Sequence, residues 1–122
     1  MEEKETVLNY GRVSYAVGED GEARFLLNGE LDHHSVKEIR EVMDGKLTDY
    51  RPMSVTFDLS GVSFTDSAGL GLILGRYTKI SGYGGALRLV GVSEEFMKIL
   101  KLSGADRLFP VEARSEKRRI RV

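Results

Sequence analysis

The residues best placed to do chemistry fall in one stretch, Ser63-Phe64-Thr65-Asp66-Ser67-Ala68-Gly69-Leu70-Gly71. Three hydroxyls and a carboxylate gather where an extended apolar segment gives way to helical spacing. A serine at such a junction can cap a helix, act as a nucleophile or accept a phosphate. Each role asks for different neighbours. A nucleophile elbow needs Gly two residues before the serine, and Thr65 stands there. No histidine follows Ser67, and His33 or His34 could reach it only through the fold, so a serine hydrolase is a remote alternative. A phosphate-cradling P-loop needs Gly-Lys-Ser/Thr, and none is written here. A dinucleotide fingerprint starting at Gly69 needs a third Gly where Leu74 stands. Gly69 and Gly71 each cost a helix about 1 kcal/mol relative to Ala. Either they bare the backbone for another protein's close approach, or they serve tight helix–sheet packing behind a plain cap.

A second polar cluster is Asp32-His33-His34. Adjacent imidazoles rarely aim at one ion, and the chain holds only these two histidines and no cysteine. An exposed capping loop is the better reading, and no metal or cofactor is expected. The lack of cysteine also excludes disulfides, thiol catalysis and Cys-ligated zinc.

The elements that must position these clusters follow from periodicity. Val13, Tyr15 and Val17 alternate as a strand, and Gly18-Glu19-Asp20-Gly21 is a turn. Ala23–Asn28 returns as a second strand. Val36, Ile39, Met43 and Leu47 recur at helical spacing after Ser35, and Tyr50-Arg51-Pro52 stops that helix. Met53–Leu59 is a third strand, with Val62 and Phe64 continuing as an extended connection. Leu70, Ile73, Leu74, Tyr77 and Ile80 form the stripe of a second helix. Leu87–Val92 reads as a buried parallel strand. Ser93 caps a third helix facing the core through Phe96, Ile99 and Leu100, and Gly104 ends it. Leu108–Val111 is expected as a short edge strand.

Strands alternating with helices predict an α/β fold with βαβ units. Right-handed crossovers then bring the loops Glu30–His34, Gly61–Ser67 and Gly91–Ser93 to one edge of the sheet. Ten residues, from Val55, Phe57, Leu59, Leu70, Ile73 and Leu74 to Leu87, Leu89, Phe96 and Leu100, should share one core.

The 122 residues suit one domain over 1–122, with a core of about 8–111. Net charge is −1, but residues 1–60 carry 7 basic and 13 acidic side chains, and residues 61–122 carry 11 and 6. Arg114, Lys117, Arg118, Arg119 and Arg121 make the segment 112–122 basic. No aromatic or motif accompanies that charge, so a solvated last helix or tail is preferred over a nucleic-acid arm. No apolar run approaches the roughly 20 residues of a membrane span. The acidic start Met1–Glu5 lacks a signal-peptide pattern, and a soluble cytoplasmic protein is expected.

The motifs also resemble a known family. Asp66-Ser67-Ala68-Gly69-Leu70-Gly71, preceded by Leu59-Ser60-Gly61-Val62-Ser63-Phe64, is similar to the signature of anti-sigma factor antagonists, the STAS domains. Gly29-Glu30-Leu31-Asp32-His33-His34, Leu72–Tyr77 and Leu102-Ser103-Gly104 match too, so the resemblance spans about residues 8–111. It implies a small mixed sheet with helices packed mainly on one side. It implies a bacterial partner-switching protein, not an enzyme, acting in sporulation or stress response. When unphosphorylated, such a protein binds an anti-sigma factor that is also a serine kinase, and a sigma factor is released. Phosphorylation of the serine matching Ser67 ends the binding, and a phosphoserine phosphatase reverses it. Ala68 occupies the place of a second motif serine, which leaves Ser67 as the single aligned acceptor. Around it, Asp32, His33, His34, Thr65, Asp66, Ala68, Gly69, Leu70 and Gly71 are the expected partner-binding residues, with no direct nucleic-acid or membrane contact. The alternative is a phosphorylation-independent STAS interaction module or scaffold component. A chain of this size without an attached sensor or membrane part fits the antagonist better.

Overall fold

The structure is a computed structural model that describes residues 6–9 and 11–115. Its elements are β1 (Thr6–Asn9), β2 (Val13–Val17), β3 (Ala23–Leu31), α1 (Val36–Tyr50), β4 (Ser54–Thr65), α2 (Ser67–Gly82), β5 (Ala86–Val92), α3 (Glu94–Ser103) and β6 (Val111–Ala113). A 3-10 turn, Ala105–Arg107, precedes β6. The six strands lie in sequence order in one sheet. β1, β2 and β3 pair antiparallel, and β3 to β6 pair parallel. This is the α/β architecture that the alternation of strands and helices predicts. Sequential parallel strands joined by right-handed crossovers carry their helices on one face.

Period two decides which side chains that face buries. Phe25 pairs with Phe57, and Phe57 with Leu89, across three strands. The two phenylalanine rings meet edge-on at 5.7 Å. Ile39 and Met43 of α1, Ile73 and Ile80 of α2, and Phe96 and Leu100 of α3 close over them, all buried. Truncating one of these phenylalanines to Ala costs about 3–5 kcal/mol by loss of transfer energy and cavity formation. The alternate residues form a polar ladder on the other face. Arg24, Thr56 and Arg88 are in register. Arg24 pairs with Asp58 at 3.2 Å. The buried Thr56 hydroxyl donates to Glu22 and accepts from Arg88 Nε, so its burial leaves no polar atom unpaired.

Several elements depart from the sequence expectation. β1 was not expected. β4 does not end at Leu59; it stays paired with β3 as far as Leu31 and Thr65, through two irregularities that insert extra β4 residues. The α2 stripe is rotated, with Leu72 and Arg76 buried and Leu70, Leu74 and Tyr77 half-buried at its margins. Arg76 is tolerated there because Asp44 of α1 lies 2.8 Å from its Nε. Ile99 is half-buried. The expected strand at Leu108–Val111 is displaced. Phe109 is buried against Tyr77 at 5.3 Å, and the ladder starts after Pro110, which has no N–H to give. Residues 116–122 of the basic segment lie outside the described residues. Arg114, by contrast, is held on the sheet by three backbone carbonyls.

Candidate functional site

The ends of β3 and β4 build the site together. Leu31 pairs with Thr65, and the Leu31 carbonyl accepts from Asp66 N and from Thr65 Oγ1, each at 3.3 Å. The chain leaving β3 as Asp32–His34 therefore runs beside the start of α2.

Asp66, not Ser67, caps that helix. Its backbone is extended, and its Oδ1 accepts from Ala68 N at 2.8 Å. Its carbonyl accepts from Gly69 N at 3.0 Å. Ser67 is thereby the first helical residue, exposed to solvent at the positive end of the helix dipole. Among the described residues its hydroxyl has no hydrogen-bond partner. The arrangement offers a free hydroxyl to an external enzyme and a favourable field to an anion placed on it.

The two glycines of the motif differ in surroundings. Gly69 is buried, and a Cβ there would collide with Thr65 Oγ1 and press on the Thr65 and Leu31 Cβ atoms. Gly71 is exposed, and a Cβ there would meet nothing. Gly71 and Ala68 line a groove between α1 and α2 with Val36 and Arg40. Leu70 is half-buried against the core.

Asp32 closes a turn of its own. Its Oδ1 accepts from His34 N and Ser35 N, both at 3.0 Å. The Ser35 hydroxyl donates to the Glu30 carbonyl at 2.6 Å and accepts from Asp32 N at 3.1 Å. The Ser35 N–H, above all, holds the Asp32 carboxyl below its ordinary pKa, with the His34 N–H adding to it. His33 and His34 are exposed, their rings 4.0 Å apart. No group of three metal-ligating side chains forms among the described residues.

The third loop completes the edge. Ser93 Oγ accepts from Phe96 N at 3.1 Å, and Ser93 and Glu95 face Ser63 and Thr65 across a cleft of about 370 Å³. Phe64 lines the same cleft and is 53% exposed. Sequence reasoning did not single out Phe64, Ser93 or Arg114 as site residues. Val62 and Phe64 are two apart and should share a face, yet Val62 is buried. The cause is the β4 irregularity: β3 goes from Gly29 to Glu30 while β4 goes from Val62 to Phe64. Nothing in the residue types announces that bulge.

Comparison with known proteins places the fold in a family. A family model described as the STAS domain matches residues 16–117. The chain is 35% identical over 85 residues to the anti-sigma F factor antagonist of Paenibacillus polymyxa, covering 70% of this chain and 73% of that one. A Thermotoga maritima crystal structure matches with a TM-score of 0.72 at 28% identity, over 80% of this chain and 83% of that one. The fold is shared with the unphosphorylated anti-sigma factor antagonist SpoIIAA, at a TM-score of 0.62 and 23% identity, over 93% and 90% of the two chains. The chain belongs to the STAS domain family, and the relative from Paenibacillus polymyxa is an anti-sigma F factor antagonist.

Proposed function

We propose that this chain is an anti-sigma factor antagonist that works by partner switching, with Ser67 as its phosphate acceptor. The observation that carries the reading is the exposed Ser67 hydroxyl, without a hydrogen-bond partner among the described residues, at the first position of α2 and beside an Asp66 that already caps the helix. The antagonist relatives supply the class of partner. In its unphosphorylated form the chain binds an anti-sigma factor serine kinase through the edge formed by Asp32–His34 and Thr65–Gly71. A sigma factor is then released in the cytoplasm.

Phosphate on Ser67 adds about −1.5 to −2 charge. The α2 N-terminus stabilises that charge and Asp66 opposes it, so the fold is expected to stay intact. At a buried protein–protein contact the same charge is desolvated, and the partner is released. A phosphoserine phosphatase resets the protein. The chain is thus a substrate of ATP chemistry and has no catalytic role of its own. No helix among the described residues is long and apolar enough to cross a membrane.

The test is to mix the chain with a purified anti-sigma factor serine kinase and ATP, then measure intact mass and map the modified residue. One added phosphate on Ser67, with release from the kinase, is the expected result. A phosphate mapped to Ser60, Ser63 or Thr65 overturns the site. Stable binding without any mass change points to a phosphorylation-independent module.

A further inference from the structure

Arg114 follows β6, in a stretch whose composition suggests a solvated tail. Its side chain does something else. Nη2 donates to the carbonyls of Leu59 at 2.8 Å and Val62 at 3.1 Å, and Nε donates to the carbonyl of Gly91 at 3.1 Å. Its own N–H donates to the Val92 carbonyl at 2.8 Å.

Those carbonyls need donors for a topological reason. The β4–β5 ladder runs only as far as Asp58 and Val90, although β4 continues to Thr65. Past that point the two strands no longer bond to each other. Gly91 takes a positive φ of 71°, and its Cα sits so close to Ser60 that a Cβ would lie 2.7 Å from Ser60 N. The backbones thus approach at Ser60 while their carbonyls lack ladder partners. Three guanidinium N–H groups meet three carbonyls there and take the place of the missing ladder. The planar fork of arginine can span both strands; the point charge of lysine cannot match all three directions.

The anchored stretch leads directly to the phosphoacceptor. Leu59 lies within the first β4 irregularity, between Asp58 and Gly61, Val62 follows it directly, and Ser67 is five residues beyond Val62. Arg114 also lines the cleft where Phe64 and Thr65 face Ser93. We infer that Arg114 is a positioning residue for Ser67: it fixes the bulged end of β4 and so sets how Phe64–Ser67 is presented to the kinase. This rests on the phosphoacceptor reading above. It assigns Arg114 of the C-terminal segment a role in the switch.

The experiment compares the full chain with Arg114→Ala and Arg114→Lys, below the melting temperature of each. Amide hydrogen exchange is read first. In Arg114→Ala, exchange over 59–67 should rise about tenfold or more, while α1 and the β2–β3 pair stay near parent rates. Arg114→Lys should fall between. Phosphorylation by the purified kinase with ATP is read next, and kcat/KM at Ser67 should fall about tenfold in Arg114→Ala with partial recovery in Arg114→Lys. A merely structural residue leaves kcat/KM unmoved while the chain remains folded. Unchanged exchange over 59–67, a uniform rise along the chain, or parent-like kcat/KM in Arg114→Ala beside an active parent each overturn this inference alone. A parent chain that takes up no phosphate overturns the phosphoacceptor reading itself.

Discussion

Position 67 contributes little to the helix that carries it. Asp66 supplies the side-chain cap and the carbonyl that Gly69 N–H needs, and the Ser67 hydroxyl bonds to nothing among the described residues. Ser67→Ala should therefore shift stability by under about 0.5 kcal/mol. Asp66→Ala should cost about 0.5–2 kcal/mol, as loss of an N-cap does. Thermal melts of the two variants check this. Ser67→Ala should bind the kinase and show no mass increase with ATP. Asp32 adds a pH dependence. Backbone N–H groups favour its carboxylate, so its folded pKa lies below its unfolded one. The stabilisation is complete above the unfolded value and is lost as pH falls through the lower folded value. Side-chain NMR titration should place the Asp32 midpoint below that of the unfolded chain. Asp32→Asn, which keeps an acceptor oxygen, should remove this residue's share of the acid slope.

Within α2, the paired glycines separate internal packing from surface access. Gly69→Ala forces a methyl into Thr65 Oγ1 and toward Leu31, and overpacking of this kind costs about 1–3 kcal/mol. The double variant Gly69→Ala/Thr65→Ala should recover part of that loss. Gly71→Ala meets open space and should stabilise the helix by about 0.4–1 kcal/mol. If kinase affinity nonetheless falls in Gly71→Ala, the partner needs the bare backbone there; unchanged affinity removes Gly71 from the contact surface. Chemical denaturation and binding titrations on the same preparations give both numbers. The sequence left these two roles open, because glycine spacing does not reveal which side faces Thr65. Periodicity did locate β2, β3, α1 and α3, where one face is apolar and the other polar, and the apolar run Leu87–Val92 located β5, although its Arg88 side faces outward rather than being buried. It failed where tertiary contacts override the pattern. The ion pair to Asp44 admits Arg76 to the α2 stripe, and the β4 bulges turn Phe64 outward.

At the scale of the whole molecule, chain order predicted which loops meet. Consecutive parallel strands must end at one edge, and Leu31 beside Thr65 is that expectation realised. What order could not convey is the splaying of β4 from β5 and the arginine that bridges it. The same arrangement decides whether phosphate acts locally or by unfolding. Ser67 lies at the rim of the sheet, while the buried centre runs through Phe25, Phe57 and Leu89. A charge at the rim meets the α2 dipole, worth about 0.3–1 kcal/mol in favour of an anion, against repulsion from Asp66. Ser67→Asp should therefore change stability by no more than about 1 kcal/mol either way. Binding is a different matter, because a carboxylate buried against a partner without a counter-charge costs several kcal/mol. Kinase affinity should fall by far more than the melt shifts. Aspartate carries less charge than phosphoserine and lacks its three oxygens, so its effect should be smaller than that of the phosphorylated chain. Melting curves and affinities for the parent, Ser67→Asp and the enzymatically phosphorylated chain decide between the two modes. Affinity that drops only in step with a large loss of stability means the phosphate unfolds the protein. Parent-like affinity in both modified chains means the partner docks elsewhere on the molecule.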